Sequence, residues 1–306
     1  QKSKHHPQER MASLLLLVTI FMHALVNGNK VNDTNIVFQH PILDLKDPVL
    51  TTNDSDEMLG ICYGSNALWA QYPYVVQLIG QCSCSGSIID MGSGTRPATI
   101  LTAAHCEACA QTVYVGCNSP GGCSGGAYPV ASGSFQTWGY QNPGQFSNDI
   151  AIVRLQTLIP TNTGARAVQI ASNTNSNSNV NRITGYGIDE TRSTPSQLQT
   201  SPTNYVSNTQ CQSLLSGNGV TIESNMICVQ GSGNPAPTVC SGDSGGPWVG
   251  GNGVQYGVTS FGLAALVGGC NPYECRCCPQ YPQIGANVGF FNSQLCSAIS
   301  GNNPGC

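Results

Sequence analysis

The stretch Cys240-Ser241-Gly242-Asp243-Ser244-Gly245-Gly246-Pro247 puts a serine on a glycine-rich turn. There a hydroxyl can stand clear of its own backbone, with nearby N–H groups facing a substrate. A serine hydroxyl is a weak nucleophile at neutral pH. It needs a neighbouring base, and the base needs an acid that orients it. The chain offers one of each in separate motifs, Leu101-Thr102-Ala103-Ala104-His105-Cys106 and Asn148-Asp149-Ile150-Ala151-Ile152. His105 is the only histidine beyond residue 40. Imidazole is the side chain best suited to take a proton and return it near neutral pH. Asp149 abuts an apolar run, where a carboxylate needs a partner, and the ring N–H of His105 is the natural one. The chemistry these residues can do is attack of Ser244 on a carbonyl carbon, followed by transfer of the acyl group.

The three motifs, in the order His, Asp, Ser, resemble those of the chymotrypsin-like (trypsin-like) serine proteases. The likeness runs from Ile61 to about Ser300. It implies a serine endopeptidase that hydrolyses peptide bonds through an acyl-enzyme on Ser244, with no cofactor. It also implies an oxyanion hole made by the backbone N–H groups of Gly242 and Ser244. Ile61-Cys62-Tyr63-Gly64 followed by Tyr72-Pro73-Tyr74 resembles the family's mature amino terminus. Cleavage before Ile61 would then free an ammonium to pair with Asp243, a zymogen switch. The chain departs from the family at Gly60, where trypsin-like activation uses Lys or Arg, and at Cys62, which replaces the usual Val. The implied partners are protein or peptide substrates and an activating protease, and the implied state is a monomer. A catalytically inactive homologue acting as a binding protein is the alternative, although the triad here is whole. A disulfide-rich toxin or structural protein is a second one.

Thr259-Ser260-Phe261-Gly262 resembles the strand that lies along an extended substrate, with Ser260 also touching the Asp149 carboxylate. Thr238, six residues before Ser244, falls at the bottom of the specificity pocket, where a trypsin has Asp. A buried Lys or Arg would lack a partner there, at a cost of several kcal/mol. The implied preference before the scissile bond is a neutral apolar or aromatic residue, or a smaller aliphatic one. Gly262 leaves the rim open, and Gln283 enters from the far wall. The resemblance further implies the disulfides Cys84–Cys106, Cys211–Cys228 and Cys240–Cys270. It leaves ten of the 16 cysteines unassigned.

All 16 cysteines lie between Cys62 and Cys306. An even count behind a secretory leader points to a disulfide framework in an oxidising compartment. Met11 reads as the start, and Ala12–Met22 as the apolar core of a signal peptide that ends near Gly28, too short to span a bilayer. Residues 29–60 carry eight of the chain's 26 charged residues and both glycosylation acceptors, Asn32 and Asn53, and read as a propeptide. The protease domain is then 61–306, secreted and free of the membrane once the leader is removed. From residue 61 onward there are eight acids, six arginines and no lysine. That balance excludes a basic surface for nucleic acid. Cys275-Arg276-Cys277-Cys278 is dense enough to suggest zinc, but His105 is the only mature histidine and is already claimed. Between Glu107 and Asp149 there is no acid to build a calcium loop.

The elements that must position these residues are mostly strands. Val75–Ile79, Ser87–Ile89, Thr99–Thr102, Ile150–Val153 and Val254–Val258 are short and β-rich, with Gly, Pro, Asn and Ser clusters between them. Ser172–Asn179 is polar and low in complexity, suited to a surface connection. Only the stretch from Phe290 to Ile299 has room for a helix. The expected fold is all-β and disulfide-rich. The family resemblance makes it two antiparallel barrels with a short C-terminal helix, His105 and Asp149 in the first half and Ser244 in the second.

Overall fold

The computed structural model describes residues 61–119, 122–140, 146–188, 197–262 and 281–306. The leader, the propeptide with Asn32 and Asn53, Cys270 with most of the loop leading to it, and the Cys275–Cys278 run lie outside these residues.

The first half builds a seven-stranded antiparallel sheet. Its strands are β2 (Val75–Ile79), β3 (Ser83–Asp90), β4 (Thr99–Thr102), β5 (Thr112–Ser119), β6 (Gly122–Pro129), β7 (Gln136–Thr137) and β8 (Ala151–Arg154), in the order β6-β5-β2-β3-β4-β8-β7. Continuous apolar runs explain the central members. Val75, Val76, Leu78, Ile100, Leu101, Ile152 and Val153 have no exposed surface. A bridge between Val130 and Leu155 brings the β6 end of the sheet back against the β8 side.

The second half closes fully. β1 (Ser65–Ala67) lies on the outside of β11 (Leu198–Val206). From there the order runs β11, β10 (Val180–Gly185), β13 (Pro247–Gly250), β14 (Val254–Phe261), β15 (Gln283–Asn287) and β12 (Met226–Gly231). β12 then pairs with β11, which makes a six-stranded barrel. Closure removes the unpaired edge an open sheet would expose. A short strand, β9 (Gln169–Ile170), pairs in parallel with β14. Trp248 fills the barrel, fully buried, and its ring N–H donates to Thr259 Oγ1 at 2.8 Å.

Helix α2 (Asn292–Ala298) forms where the sequence leaves room for one. The structure adds α1 (Asn208–Leu214), which corrects the expectation of a single helical stretch. The α1 sequence is polar and carries no apolar periodicity. The Ser207 hydroxyl caps it by accepting from the Gln210 N–H, and Cys211 bonds it covalently to β12 through Cys228.

The two halves meet where β2, β3, β4 and β5 face β10, β13, β14 and β11 respectively. Buried polar bonds cross the seam. Ser87 Oγ donates to Gln255 Oε1 at 2.7 Å, and Tyr186 OH donates to the Cys117 carbonyl at 2.9 Å.

Candidate active site

His105 sits on a short 3₁₀ helix, Ala104–Cys109, that follows β4. Disulfides staple the middle and the end of this turn to β3 and its approach: Cys106 to Cys84, and Cys109 to Cys82. The base therefore stands on a rigid platform. Its side chain keeps 25% of its surface exposed, whereas Asp149 keeps 1%. Asp149 Oδ2 lies 2.7 Å from His105 Nδ1, and Oδ1 accepts the His105 backbone N–H at 2.9 Å. The hydroxyl of Ser260, on β14, donates a short hydrogen bond to the same Oδ2. The carboxylate thus fixes which ring nitrogen carries the proton and turns the other toward the cleft.

The segment that delivers Asp149 is bent. Phe146 and Asn148 adopt left-handed backbone at φ +48° and +57°. Such conformations cost on the order of 1–3 kcal/mol each and persist where the surroundings impose them. Phe146 stacks on Phe261 with ring centroids 4.8 Å apart and sets its edge against His105 at 6.3 Å. The Tyr140 hydroxyl is buried and unpartnered among the described residues. Burial first, then the charge of Asp149, pushes this phenol up.

Ser85, on β3, latches the serine turn to the first half. Its N–H donates to the Ser244 carbonyl at 2.8 Å, and its hydroxyl donates to the Gly242 carbonyl at 2.9 Å while accepting the Tyr186 N–H at 2.9 Å. A Cβ on Gly245 would lie 2.1 Å from Thr102 Oγ1 and 3.1 Å from the Ala103 nitrogen. Only glycine permits that approach, which sets Ser244 against the residues leading into His105. The Ser244 hydroxyl forms no hydrogen bond among the described residues. Nucleophile–base contacts of this kind are commonly loose before substrate arrives. Gly242 is left-handed at φ +99°. The N–H groups of Asp243, Gly245 and Gly246 are all taken by backbone carbonyls. Among the described residues nothing accepts from those of Gly242 and Ser244, the two expected to face an oxyanion.

Asp243 is 1% exposed and accepts the Gly187 and Cys240 N–H groups, each at 2.8 Å. Burial pushes its carboxyl up to about 7, against the downward pull of those two hydrogen bonds. A Cβ on Gly187 would meet this carboxylate at 2.4–2.6 Å. The paired glycines of Thr184-Gly185-Tyr186-Gly187 are the sequence signal for such a close approach, and they lie outside the three catalytic motifs. Ile61 is fully buried and left-handed at φ +39°. The following residue pairs with the approach to the serine turn, where the Thr238 N–H donates to the Cys62 carbonyl at 3.1 Å.

Thr238 is buried. The Gly262 Cβ position lies 2.9 Å from Gln283 Oε1, so the Gln283 side chain reaches the Gly262 rim. The Gln283 amide N–H donates to the Tyr281 carbonyl at 3.3 Å, and its oxygen is buried and unpartnered among the described residues.

Cys84, Cys106 and His105 cluster within 4.8 Å of one another, but the two sulfurs are spent on a disulfide and His105 holds Asp149. Of the disulfides the resemblance implied, the structure joins Cys84–Cys106 and Cys211–Cys228. Cys240 is disulfide-bonded, with Cys270 outside the described residues. The structure adds Cys82–Cys109, Cys117–Cys123 and Cys296–Cys306, pairs left open by the sequence.

Two antiparallel β units facing each other across a serine turn and a histidine–aspartate pair define the class of chymotrypsin-like serine endopeptidases. Residues 61–275 match the profile of the Trypsin family, and the chain belongs to that family. It is 34% identical to trypsin alpha of Drosophila melanogaster over 243 residues, 78% of this chain and 86% of that protein. It is 35% identical to trypsin beta of Drosophila erecta over 236 residues, 75% and 85% of the two chains. Its fold resembles HL collagenase, with a TM-score of 0.61 and 23% identity over 78% of this chain and 99% of that one. It resembles neuropsin, a serine protease expressed in the limbic system of mouse brain, equally well at 0.61 and 24%, over 78% of this chain and 100% of the other. Among the described residues no helix is long and apolar enough to cross a membrane.

Proposed function

We propose that this endopeptidase works by attack of Ser244 on the substrate carbonyl, with His105 as general base and then general acid, and Asp149 orienting the ring. The observation that carries this reading is the carboxylate of Asp149 held between His105 and Ser260, with the Ser244 turn latched beside it by Ser85. The Gly242 and Ser244 N–H groups stabilise the oxyanion, and each such donor contributes roughly 3–4 kcal/mol to the transition state. The acyl-enzyme then hydrolyses as His105 activates water.

The enzyme is secreted as a zymogen. All 12 described cysteines are disulfide-bonded, which supports an oxidising compartment. Cleavage before Ile61 frees the ammonium that pairs with Asp243, a buried carboxyl whose only described hydrogen bonds are to two backbone N–H groups. The side chain bound before the scissile bond is neutral, apolar or aromatic. Every described carboxylate is placed elsewhere: Asp90 pairs with Arg96, Asp149 with His105, Glu223 with Ser147 and Asp243 with backbone, while Glu107 is exposed. None of these is left to meet a Lys or Arg beside Thr238.

The test is to label the processed protein with a fluorophosphonate, read its amino terminus by mass spectrometry, and cleave a peptide library. Labelling of Ser244, a terminus at Ile61 and cuts after Phe, Tyr or Leu are expected. A protein that stays unlabelled overturns the mechanism. Cleavage confined to Lys and Arg, in line with the names of its relatives, overturns the specificity alone.

A further inference from the structure

A polar cluster outside the triad spans the two halves immediately before Asp149. Ser147 Oγ donates to Glu223 Oε2 at 2.6 Å. Asn225 Nδ2 lies 3.0 Å from Ser147 Oγ, 2.7 Å from Asn148 Oδ1 and 3.3 Å from Glu223 Oε2. Asn148 Nδ2 in turn donates to the Gly139 carbonyl at 3.0 Å, so its amide is pinned at both ends. On the far side, Asn208 Nδ2 donates to the carbonyls of Glu223 and Met226, which anchors the cluster to α1 and β12. Ser147 and Asn225 are buried, at 5% and 6% exposure.

This cluster sits poorly with a purely stabilising role. Asn225 Oδ1 is buried and unpartnered among the described residues. An orphaned acceptor is costly, and apolar residues of similar shape often replace buried polar groups without loss. What the cluster does fix is geometry. Asn148 is left-handed, the Ile150 N–H turns back onto the Asn148 carbonyl at 2.7 Å, and Asp149 lies inside that turn. Glu223 supplies the cluster's only carboxyl group, and its Oε2 lies within reach of both the Ser147 hydroxyl and the Asn225 amide.

We propose that Glu223, acting through Ser147 and Asn225, is a positioning residue that holds Asp149 at the angle His105 requires. The proposal rests on the triad mechanism above. A displacement near 1 Å in such a constellation can cost up to about 100-fold in rate. In the processed enzyme, Glu223→Leu is expected to lower kcat about 10- to 100-fold with KM little changed, and to shift the acid limb of the kcat/KM profile. Glu223→Gln keeps an acceptor for Ser147 and is expected to return to within a few-fold of wild type. Ser147→Ala removes one hydroxyl, folds without the charge change, and is expected to show the same pattern as Glu223→Leu. Folded Glu223→Leu and Ser147→Ala proteins with wild-type kcat and an unmoved acid limb would overturn the proposal and leave the triad standing. So would losses that track the thermal midpoint and are not rescued by Gln. A wild type that neither turns over nor labels would instead sink the triad mechanism, and this proposal with it.

Discussion

The Asp149 carboxylate receives three donors: the His105 backbone, the His105 ring and the Ser260 hydroxyl. Each contact has a separate consequence. The backbone bond fixes the carboxylate relative to the turn, the ring bond selects the tautomer, and Ser260 satisfies the face toward the six-stranded barrel. Asp149→Asn preserves the shape but presents an amide N–H to a ring nitrogen that must itself donate. Its kcat is expected to fall roughly 10,000-fold, with the thermal midpoint changed far less, as measured on the processed enzyme with a peptide substrate. A loss of less than 10-fold would mean that the pair is not oriented in this way. These residues were legible because the chemistry restricts their types. One histidine, one aspartate against an apolar run and one serine among glycines suit acyl transfer and little else. Ser147, Glu223 and Asn225 were not legible. Ser147 lies 76 and 78 positions from Glu223 and Asn225, and nothing near either partner in the sequence points back to it. Ser85 was equally silent, because a serine in a strand announces nothing about a latch 157 residues away.

At the scale of elements, the strands that the sequence displayed are those buried on both sides. β2 coincides with Val75–Ile79 and β4 with Thr99–Thr102, since continuous apolar runs leave a strand no other place. α1 was hidden, because its stability comes from a cap and a disulfide and not from an apolar face. The histidine turn shows the same division of labour. Six residues of 3₁₀ helix would not hold by themselves, and Cys82–Cys109 and Cys84–Cys106 supply what the helix lacks. Replacing Cys82 and Cys109 by Ser together is expected to lower unfolding stability by about 2–5 kcal/mol. The inner bridge remains, so kcat should fall less than 10-fold. Urea unfolding and peptide hydrolysis on the same preparation check both halves of that expectation. A large loss of rate with little loss of stability would move the outer bridge from the scaffold to the site.

At the scale of the molecule, Asp243 gives folding a pH dependence that the proposed activation would erase. Its carboxyl is raised to about 7 by burial, so the folded uncut protein holds a proton that the unfolded chain has released. That contribution is complete below the ordinary carboxylate range and is lost as pH rises toward 7, above which it is flat. An ammonium at Ile61 would favour the charged carboxylate and remove the slope. Urea midpoints of the uncut Ser244→Ala protein are expected to fall between about pH 4.5 and pH 8, and those of the cut protein to hold. Equal slopes would contradict the pairing.

The loop that joins β3 to β4 exposes Ser93, Gly94 and Thr95. It lies wholly inside both sulfur loops, Cys82–Cys109 and Cys84–Cys106. A scission at this tip would produce two fragments that the two bridges keep joined. A nicked chain would stay in one piece, with both halves of the histidine turn's anchorage in place, until a reductant released it.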